Sequence, residues 1–295
     1  MKWEQRNSCP VCDSTRTHNY RKGSFDPDLI GPDHFRITDS HYGQMWNFHK
    51  CRDCSFVFSN PTLNEQDLVK FYRDLEDPEY SLESEGRSRN FRTILKRLNR
   101  IDKPGNHLLD IGAASGIFLN LAQKQGYRIM GIEPSRFLVN QAREQYGIEL
   151  FQGVVETFSS LEKFSVITLV DILEHLAEPD PFMTRLEGLI QKDGILVIVT
   201  PDINSLAVKL MGKRWWHFRI AHLNFFNRKS LKVLLANHGF DIIKFHHYAW
   251  HFSIFYLLTR FFPGLKQKKP LQKLLKKVHL KLQLFDSWEI YARKN

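Results

Sequence analysis

His107-Leu-Leu-Asp-Ile-Gly-Ala-Ala-Ser-Gly-Ile-Phe118, followed by Arg128-Ile-Met-Gly-Ile-Glu133, is the stretch on which the reading of this chain turns. An apolar run closing on Asp110 predicts a buried strand, Gly112 and Gly116 permit a tight turn, and helical spacing resumes from Ile117 to Gln125. Ligands of open α/β sheets sit beyond the carboxyl ends of the strands, where the first turn brings backbone N–H groups close to them. Glu133 closes the next strand roughly 20 residues past Gly112, where an acid can take both hydroxyls of a ribose. Together these features predict a pocket for a nucleoside-containing cofactor.

A dinucleotide fingerprint requires G-x-G-x-x-G, whereas this turn reads Gly112-Ala-Ala-Ser-Gly116 behind a carboxylate that would repel a pyrophosphate, so NAD is the weaker reading. The stretch resembles motif I of the class I S-adenosylmethionine (SAM)-dependent methyltransferases. That resemblance places Asp110 at the cationic methionine end of SAM, Gly112, Ala114 and Gly116 against it through their backbone, and Glu133 on the ribose. Ala114 stands where the family usually has a second glycine, which predicts a slightly less close backbone approach. Phe164-Ser-Val-Ile-Thr-Leu-Val-Asp-Ile-Leu-Glu-His-Leu176, Gly194-Ile-Leu-Val-Ile-Val-Thr-Pro201 and His222-Leu-Asn-Phe-Phe226 are similar to the fourth strand, fifth strand and late loop of the bacterial group that includes the ubiquinone-pathway O-methyltransferase. Ser165 departs from that group, which often has Asp there. The four cysteines match members with an amino-terminal zinc ribbon. The implied architecture is α/β: a seven-stranded Rossmann-like SAM methyltransferase sheet, a small N-terminal zinc ribbon, and a C-terminal helical insertion before the last strand.

With 295 residues the chain has room for one large α/β domain and a small attachment. Residues 1–62 are expected to form the ribbon, 63–104 linking helices that cap the pocket, and 105–295 the methyltransferase domain, with a basic helical insertion over 250–283. Cys9-Pro-Val-Cys12 and Cys51-Arg-Asp-Cys54 are paired knuckles that can set four thiolates tetrahedrally around a structural Zn²⁺. A redox CxxC pair, or a site using His18, His34, His41 or His49 from the intervening stretch, is the alternative. Met1-Lys-Trp-Glu-Gln-Arg6 carries no apolar signal region and no window reaches the length of a spanning helix, so a cytoplasmic protein is expected.

Helical spacing recurs from Asn64 to Arg73, from Ser88 to Ile101 and over 229–238. Strands are expected near 107–111, 127–132, 148–152, 165–170, 194–199 and 240–248, with Asp286–Arg293 as a last strand inserted antiparallel. Tyr72 and Tyr80 match tyrosines ahead of motif I in relatives, and read either as packing or as ligand contacts. Glu156 follows the third strand, where the family recognises adenine, with a solvated turn residue as its alternative reading, and Asp171 is expected to line the methionine pocket. For chemistry, His222 on the late loop is the first choice as a substrate-facing base or hydrogen-bond donor, with a structural cap as its alternative. His175 could be a general base, but a helix-start histidine bonded to backbone is the preferred reading. Gly212-Lys-Arg-Trp-Trp-His-Phe-Arg219 could clamp a sugar, a polyprenyl chain or a nucleobase, or form the packed base of a lid.

The net charge of +10 is concentrated in Arg260, Lys266, Lys268, Lys269, Lys273, Lys276, Lys277 and Lys281. Leu271, Leu274, Leu275, Val278 and Leu282 fall on the opposite face of a helix from Lys273, Lys276, Lys277 and Lys281, behind an apolar helix over 250–262. This pattern suits peripheral contact with an anionic membrane at its inner face, and equally a helix packed on the sheet with lysines in water. The expected activity is methyl transfer from SAM to a small or lipid-linked metabolite, with a sugar of a surface glycan suggested by the resemblance. An rRNA or tRNA methyltransferase is the runner-up. Against RNA, the ribbon region is rich in acids: Asp13, Asp26, Asp28, Asp33, Asp39 and Asp53. A non-catalytic SAM-binding scaffold is the third reading. The acceptor atom and the oligomeric state are not legible.

Overall fold

A computed structural model describes residues 1–38, 42–261 and 275–295. Its centre is a seven-stranded sheet of β1 (His107–Ile111), β2 (Arg128–Glu133), β3 (Phe151–Gln152), β4 (Phe164–Val170), β5 (Ile190–Pro201), β6 (Phe240–His247) and β7 (Ser287–Lys294). The spatial order is β6-β7-β5-β4-β1-β2-β3. Strands β1 to β5 run parallel, and β7 lies antiparallel between β5 and β6. This is the Rossmann-like SAM methyltransferase sheet. The parallel strands are nearly continuous apolar runs because helices cover both faces. Neighbouring residues accordingly enter different cores: Leu108, Val166 and Val197 pack with Leu95, Phe118 and Ala142 of the helices on one face, and Leu109, Ile167 and Ile198 pack with Phe182, Leu186 and Leu234 on the other.

Helix Glu65–Arg73 starts at Asn64, whose side chain caps Asp67 N–H, and helix Arg136–Tyr146 starts at Ser135, which caps Leu138. Helix Ser84–Leu98 begins four residues before the expected start at 88. The third strand is shorter than the expected 148–152, and the fifth extends back to Ile190 through a register irregularity before Ile195.

At the N-terminus, strands Thr17–Arg21, Phe48–Cys51 and Val57–Ser59 form an antiparallel sheet that carries the cysteine knuckles. Its fourth strand comes from far along the chain: Asn224–Phe225, directly behind His222, pairs with Val57–Phe58. Trp46, Phe48, Trp215, Phe218 and Phe225 share one core between this sheet and the 203–225 segment. Trp215 and Phe218 of the 212–219 run are thus packed core residues.

The insertion departs from expectation. Residues 250–253 are a strand rather than the start of a helix, and helix begins only at Ile254. Residues 279–282, expected at the end of the basic amphipathic helix, form a second strand paired antiparallel with the first. Trp250 lies opposite Leu282 and Phe252 opposite Leu280, so Leu282, which counts toward the helical stripe, also satisfies a period of two with Leu280. The hairpin adds a backbone ladder and cross-strand apolar pairs, and Ile254 N–H closes onto Val278 O. The rest of the expected helix, 262–274, lies outside the described residues, as does His41. Among the described residues no helix is long and apolar enough to cross a membrane.

Candidate active site

The carboxyl ends of β1, β2 and β4 deliver Asp110, Glu133 and Asp171 to one edge of the sheet. The turn after β1 bends through Gly112 (φ 76°), Ala114 (φ 47°) and Gly116 (φ 76°). The Ala114 effect is therefore not only one of approach: its backbone sits in the left-handed region, which costs a residue with a Cβ about 1 kcal/mol. At Gly116 a Cβ would lie 3.2 Å from Ala142 Cβ, so glycine there lets helix Arg136–Tyr146 pack closely against the loop.

Glu133 is buried and pinned at both oxygens, accepting from Ala114 N–H at 2.9 Å and from Ser135 N–H at 2.8 Å. Burial pushes its carboxyl up to about 7 despite those two bonds. Asp110 is also buried and accepts from Thr168 Oγ1 at 2.6 Å. Burial, reinforced by the nearby Glu133 charge, raises it to about 7 against the Thr168 bond. Asp171 has φ 55° and donates its backbone N–H to Val199 O at 2.9 Å. Burial raises its carboxyl to about 6, opposed by His217, Arg87 and Arg219. Two raised acids stand at adjacent strand ends beside a bend whose N–H groups are spent internally, Gly112 and Ala113 on Ile132 O, Ala114 on Glu133 and Gly116 on Ala113 O. This differs from the expected turn of free N–H groups. Acids so placed can face a ligand that carries positive charge or hydroxyls.

Arg87, on helix Ser84–Leu98, extends the site beyond what the sequence suggested. Its guanidinium lies 4.0 Å from the Tyr80 ring centroid, its Nε is buried without a hydrogen-bond partner, and its charge acts on Asp171. Only its helical position ahead of motif I could have signalled it. Glu156 is exposed on the turn after β3, and Gly153 N–H bonds Glu133 O, which sets that turn beside Glu133.

A second cluster adjoins Asp171. Glu174, His175 and His222 each place a polar side-chain atom within 4.8 Å of the others. Tyr72 Oη lies 2.7 Å from His175 Nδ1, so Tyr72 is more than packing, and His175 is bonded to a side chain rather than to backbone alone. The His175 and His222 rings meet edge to face with centroids 4.7 Å apart. Burial, aided by the Arg219 charge, pushes His175 down to about 3, and burial with the His175 charge pushes His222 well below its ordinary value. Both are neutral imidazoles near pH 7. Glu174 is driven upward by burial and by Asp171; its Oε2 accepts from Thr200 Oγ1 at 2.9 Å, while its Oε1 and His222 Nδ1 are buried without hydrogen-bond partners.

At the far end of the late loop's sheet, Cys9 and Cys54 Sγ are 3.5 Å apart and Cys12 and Cys51 Sγ are 3.6 Å apart. All four sulfurs lie within 4.8 Å of one another, the spacing of thiolates around a tetrahedral ion with Zn–S bonds of about 2.3 Å. His18, His34 and His49 are not among the ligand atoms of that group.

A sequence profile for a family described as a methyltransferase domain matches residues 84–244. The chain is 25% identical over 134 residues to a ubiquinone biosynthesis O-methyltransferase of Rhodopseudomonas palustris, covering 43% of this chain and 52% of that protein. A protein of the same description from Bradyrhizobium diazoefficiens is 23% identical over 134 residues, with the same coverage of 43% and 52%. The chain thus spans about half the length of the curated relatives it matches. Among solved structures, the magnesium protoporphyrin IX methyltransferase of Synechocystis PCC 6803 with bound SAH is 13% identical with a TM-score of 0.48, over 71% of this chain and 84% of that one.

Proposed function

The chain belongs to the methyltransferase domain family, and on that premise we propose that it transfers a methyl group from SAM to a small or lipid-linked metabolite. One observation carries the reading: Asp110 and Glu133 stand buried at neighbouring strand ends on either side of the Gly112–Gly116 bend. In this reading Asp110 and Asp171 take the cationic methionine end, Arg87 its carboxylate, Glu133 the ribose hydroxyls, Glu156 the adenine, and the backbone of Gly112, Ala114 and Gly116 the body of the molecule. SAM supplies an activated methyl group on a sulfonium, and the protein's part is to align it with the acceptor and exclude water. His175 and His222, neutral and adjoining Asp171, face the acceptor, with His222 the principal substrate contact. Cys9, Cys12, Cys51 and Cys54 hold a structural Zn²⁺. A sugar of a surface glycan remains the acceptor the family resemblance favours.

Val278, Leu280, Leu284 and Phe285 are exposed near Lys277 and Lys281 on the same hairpin region, which supports peripheral contact with an anionic bilayer even though the segment is a hairpin there rather than a helix.

Calorimetric titration with SAM, paired with methyl-labelled SAM in cell extract, tests the proposal. Glu133→Ala should weaken SAM binding roughly 10- to 100-fold, the loss of charge-assisted hydrogen bonds. Label should enter a metabolite or glycolipid fraction. Parent-like SAM affinity in the variant would remove the cofactor assignment; label in rRNA or tRNA would establish the runner-up, and binding without transfer the scaffold.

A further inference from the structure

A third histidine, His217, differs from the other two in its acid: Glu174, beside His175 and His222, is driven upward by burial, whereas Asp286, in contact with His217, is held below its ordinary value. His217 lies in the Trp215-Trp216-His217 run, with Nε2 3.5 Å from Asp286 Oδ2 and 3.5 Å from Ser287 Oγ. Asp286 is fully buried and precedes β7, whose first residues pair with the end of β5. Trp215 Nε1 donates to the same Asp286 Oδ2 at 3.3 Å, so the indole and the imidazole share one acceptor oxygen. Burial alone would raise this acid, but the His217 contact and the Trp215 bond outweigh it and hold the carboxyl below its ordinary value. Asp286 is thus an anion in the interior.

On its other side the His217 ring stacks with that of His222, centroids 5.7 Å apart and planes 21° from parallel. His217 is also near enough for its charge to bear on Asp171, His175 and His222. Resting on the methyl-transfer reading, we propose that His217 and Asp286 form the proton-accepting dyad of the acceptor site, with His175 and His222 as neutral positioning groups.

The argument is a comparison among three imidazoles. Protonating His175 or His222 would place a charge in an enclosed site that already contains Arg219. Protonating His217 places it against a buried carboxylate, the arrangement by which a carboxylate fixes the tautomer of a histidine and stabilises its imidazolium. With Nε2–H directed to Asp286, Nδ1 carries the lone pair. The acceptor's heavy atom forms its bond to the methyl carbon as the carbon–sulfur bond breaks; the bonding pair returns to sulfur, leaving a neutral thioether, and the acceptor's proton passes to His217 Nδ1. A contact of 3.5 Å is long, as such contacts commonly are before a substrate tightens them.

The test uses the full-length protein with methyl-labelled SAM and a combined soluble and lipid extract of the source cells as acceptor. His217→Gln should lower the transfer rate by about 100-fold or more, the usual size of general-base loss, while SAM affinity by calorimetry stays within about twofold of the parent. The parent's rate should fall on the acid side, and that limb should vanish in His217→Gln; the groups facing His217 that a pH change also touches are Asp286, Asp171, His175 and His222. Asp286→Asn keeps the side chain's shape and serves if His217→Gln folds poorly: its rate should fall while its SAM affinity persists. Parent-like transfer in either folded variant, or an acid limb that survives His217→Gln, overturns the dyad and leaves methyl transfer standing. A parent protein that binds SAM and transfers nothing overturns methyl transfer itself, and the dyad with it.

Discussion

Asp110 has been placed where water cannot solvate its charge, and that has a sign that can be measured. In the unfolded chain it ionises near 4, but in the folded, ligand-free protein burial holds it protonated up to about 7. The unfolded state therefore sheds a proton first, and the residue withdraws stability progressively as pH rises from about 4 to 7, with no such cost below that window. Asp110→Asn should accordingly be worth more to the ligand-free protein at pH 7.5 than at pH 4.5, by an amount on the order of a few kcal/mol, measured as the difference in denaturant midpoints. SAM affinity should move the other way. A cationic ligand end needs the carboxylate, so binding to the parent should tighten between pH 6 and pH 8 and the dependence should flatten in Asp110→Asn. Equal pH slopes for the two proteins would show that Asp110 is not the titrating group. At this scale Asp110, Gly112, Gly116 and Glu133 were legible because each sits at a fixed offset in one contiguous stretch. Thr168, Arg87 and the His217–Asp286 pair were not, since Thr168 lies 58 residues from Asp110, His217 lies 69 from Asp286, and Arg87 acts on Asp171 from a helix ahead of the sheet.

Strands and helices of the central sheet could be read from periodicity, because a strand buried on both faces and a helix buried on one leave different apolar spacings. The two-residue strand Asn224–Phe225 left no such trace, yet it ties the loop that carries His222 to the sheet of the cysteine knuckles. Ser59 N–H bonds Leu223 O at 2.8 Å, Asn227 Nδ2 donates to Ser55 O at 2.7 Å, and Leu223 N–H bonds Glu174 O at 2.8 Å. Ser55 directly follows Cys54, and Asn227 also caps helix Arg228–Asn237 by accepting from Lys229 and Ser230 N–H. Removal of zinc by a chelator should therefore raise amide hydrogen exchange over 55–59 and 222–227, while the Gly112–Gly116 bend, anchored in the central sheet, stays protected and SAM affinity changes less than about threefold. Unchanged exchange at 222–227 after verified metal loss would separate the knuckles from the loop. The hairpin of residues 250–253 and 279–282 shows the opposite limit: Leu282 fits both periods, and only the partner strand decides between them.

For the molecule as a whole, an excess of ten positive charges makes polyanion binding a question of geometry rather than of sign. Exposed Lys277 and Lys281 lie among exposed Val278, Leu280, Leu284 and Phe285, a mixture that suits a lipid surface better than a phosphate track. The protein should sediment with phosphatidylglycerol vesicles at low salt and not with phosphatidylcholine vesicles. Lys277→Glu with Lys281→Glu should weaken that retention by at least about tenfold, at about 1 kcal/mol for each lysine removed. Salt-sensitive retention on RNA with none on vesicles would reverse the preference. The sequence by itself determined the order of strands and helices in the central sheet, the acids at the ends of β1 and β2 and the spacing of the cysteine pairs, because these are local patterns that backbone geometry and burial translate directly. Only the tertiary structure decided which distant groups share a dielectric environment: that Asp110 and Glu133 are both raised, that His175 and His222 are held neutral, that His217 has a carboxylate behind it, and that the cysteine sheet borrows a strand from the segment that carries His222. Charge states and long-range pairings depend on what packs against a residue, and no periodicity along the chain encodes that.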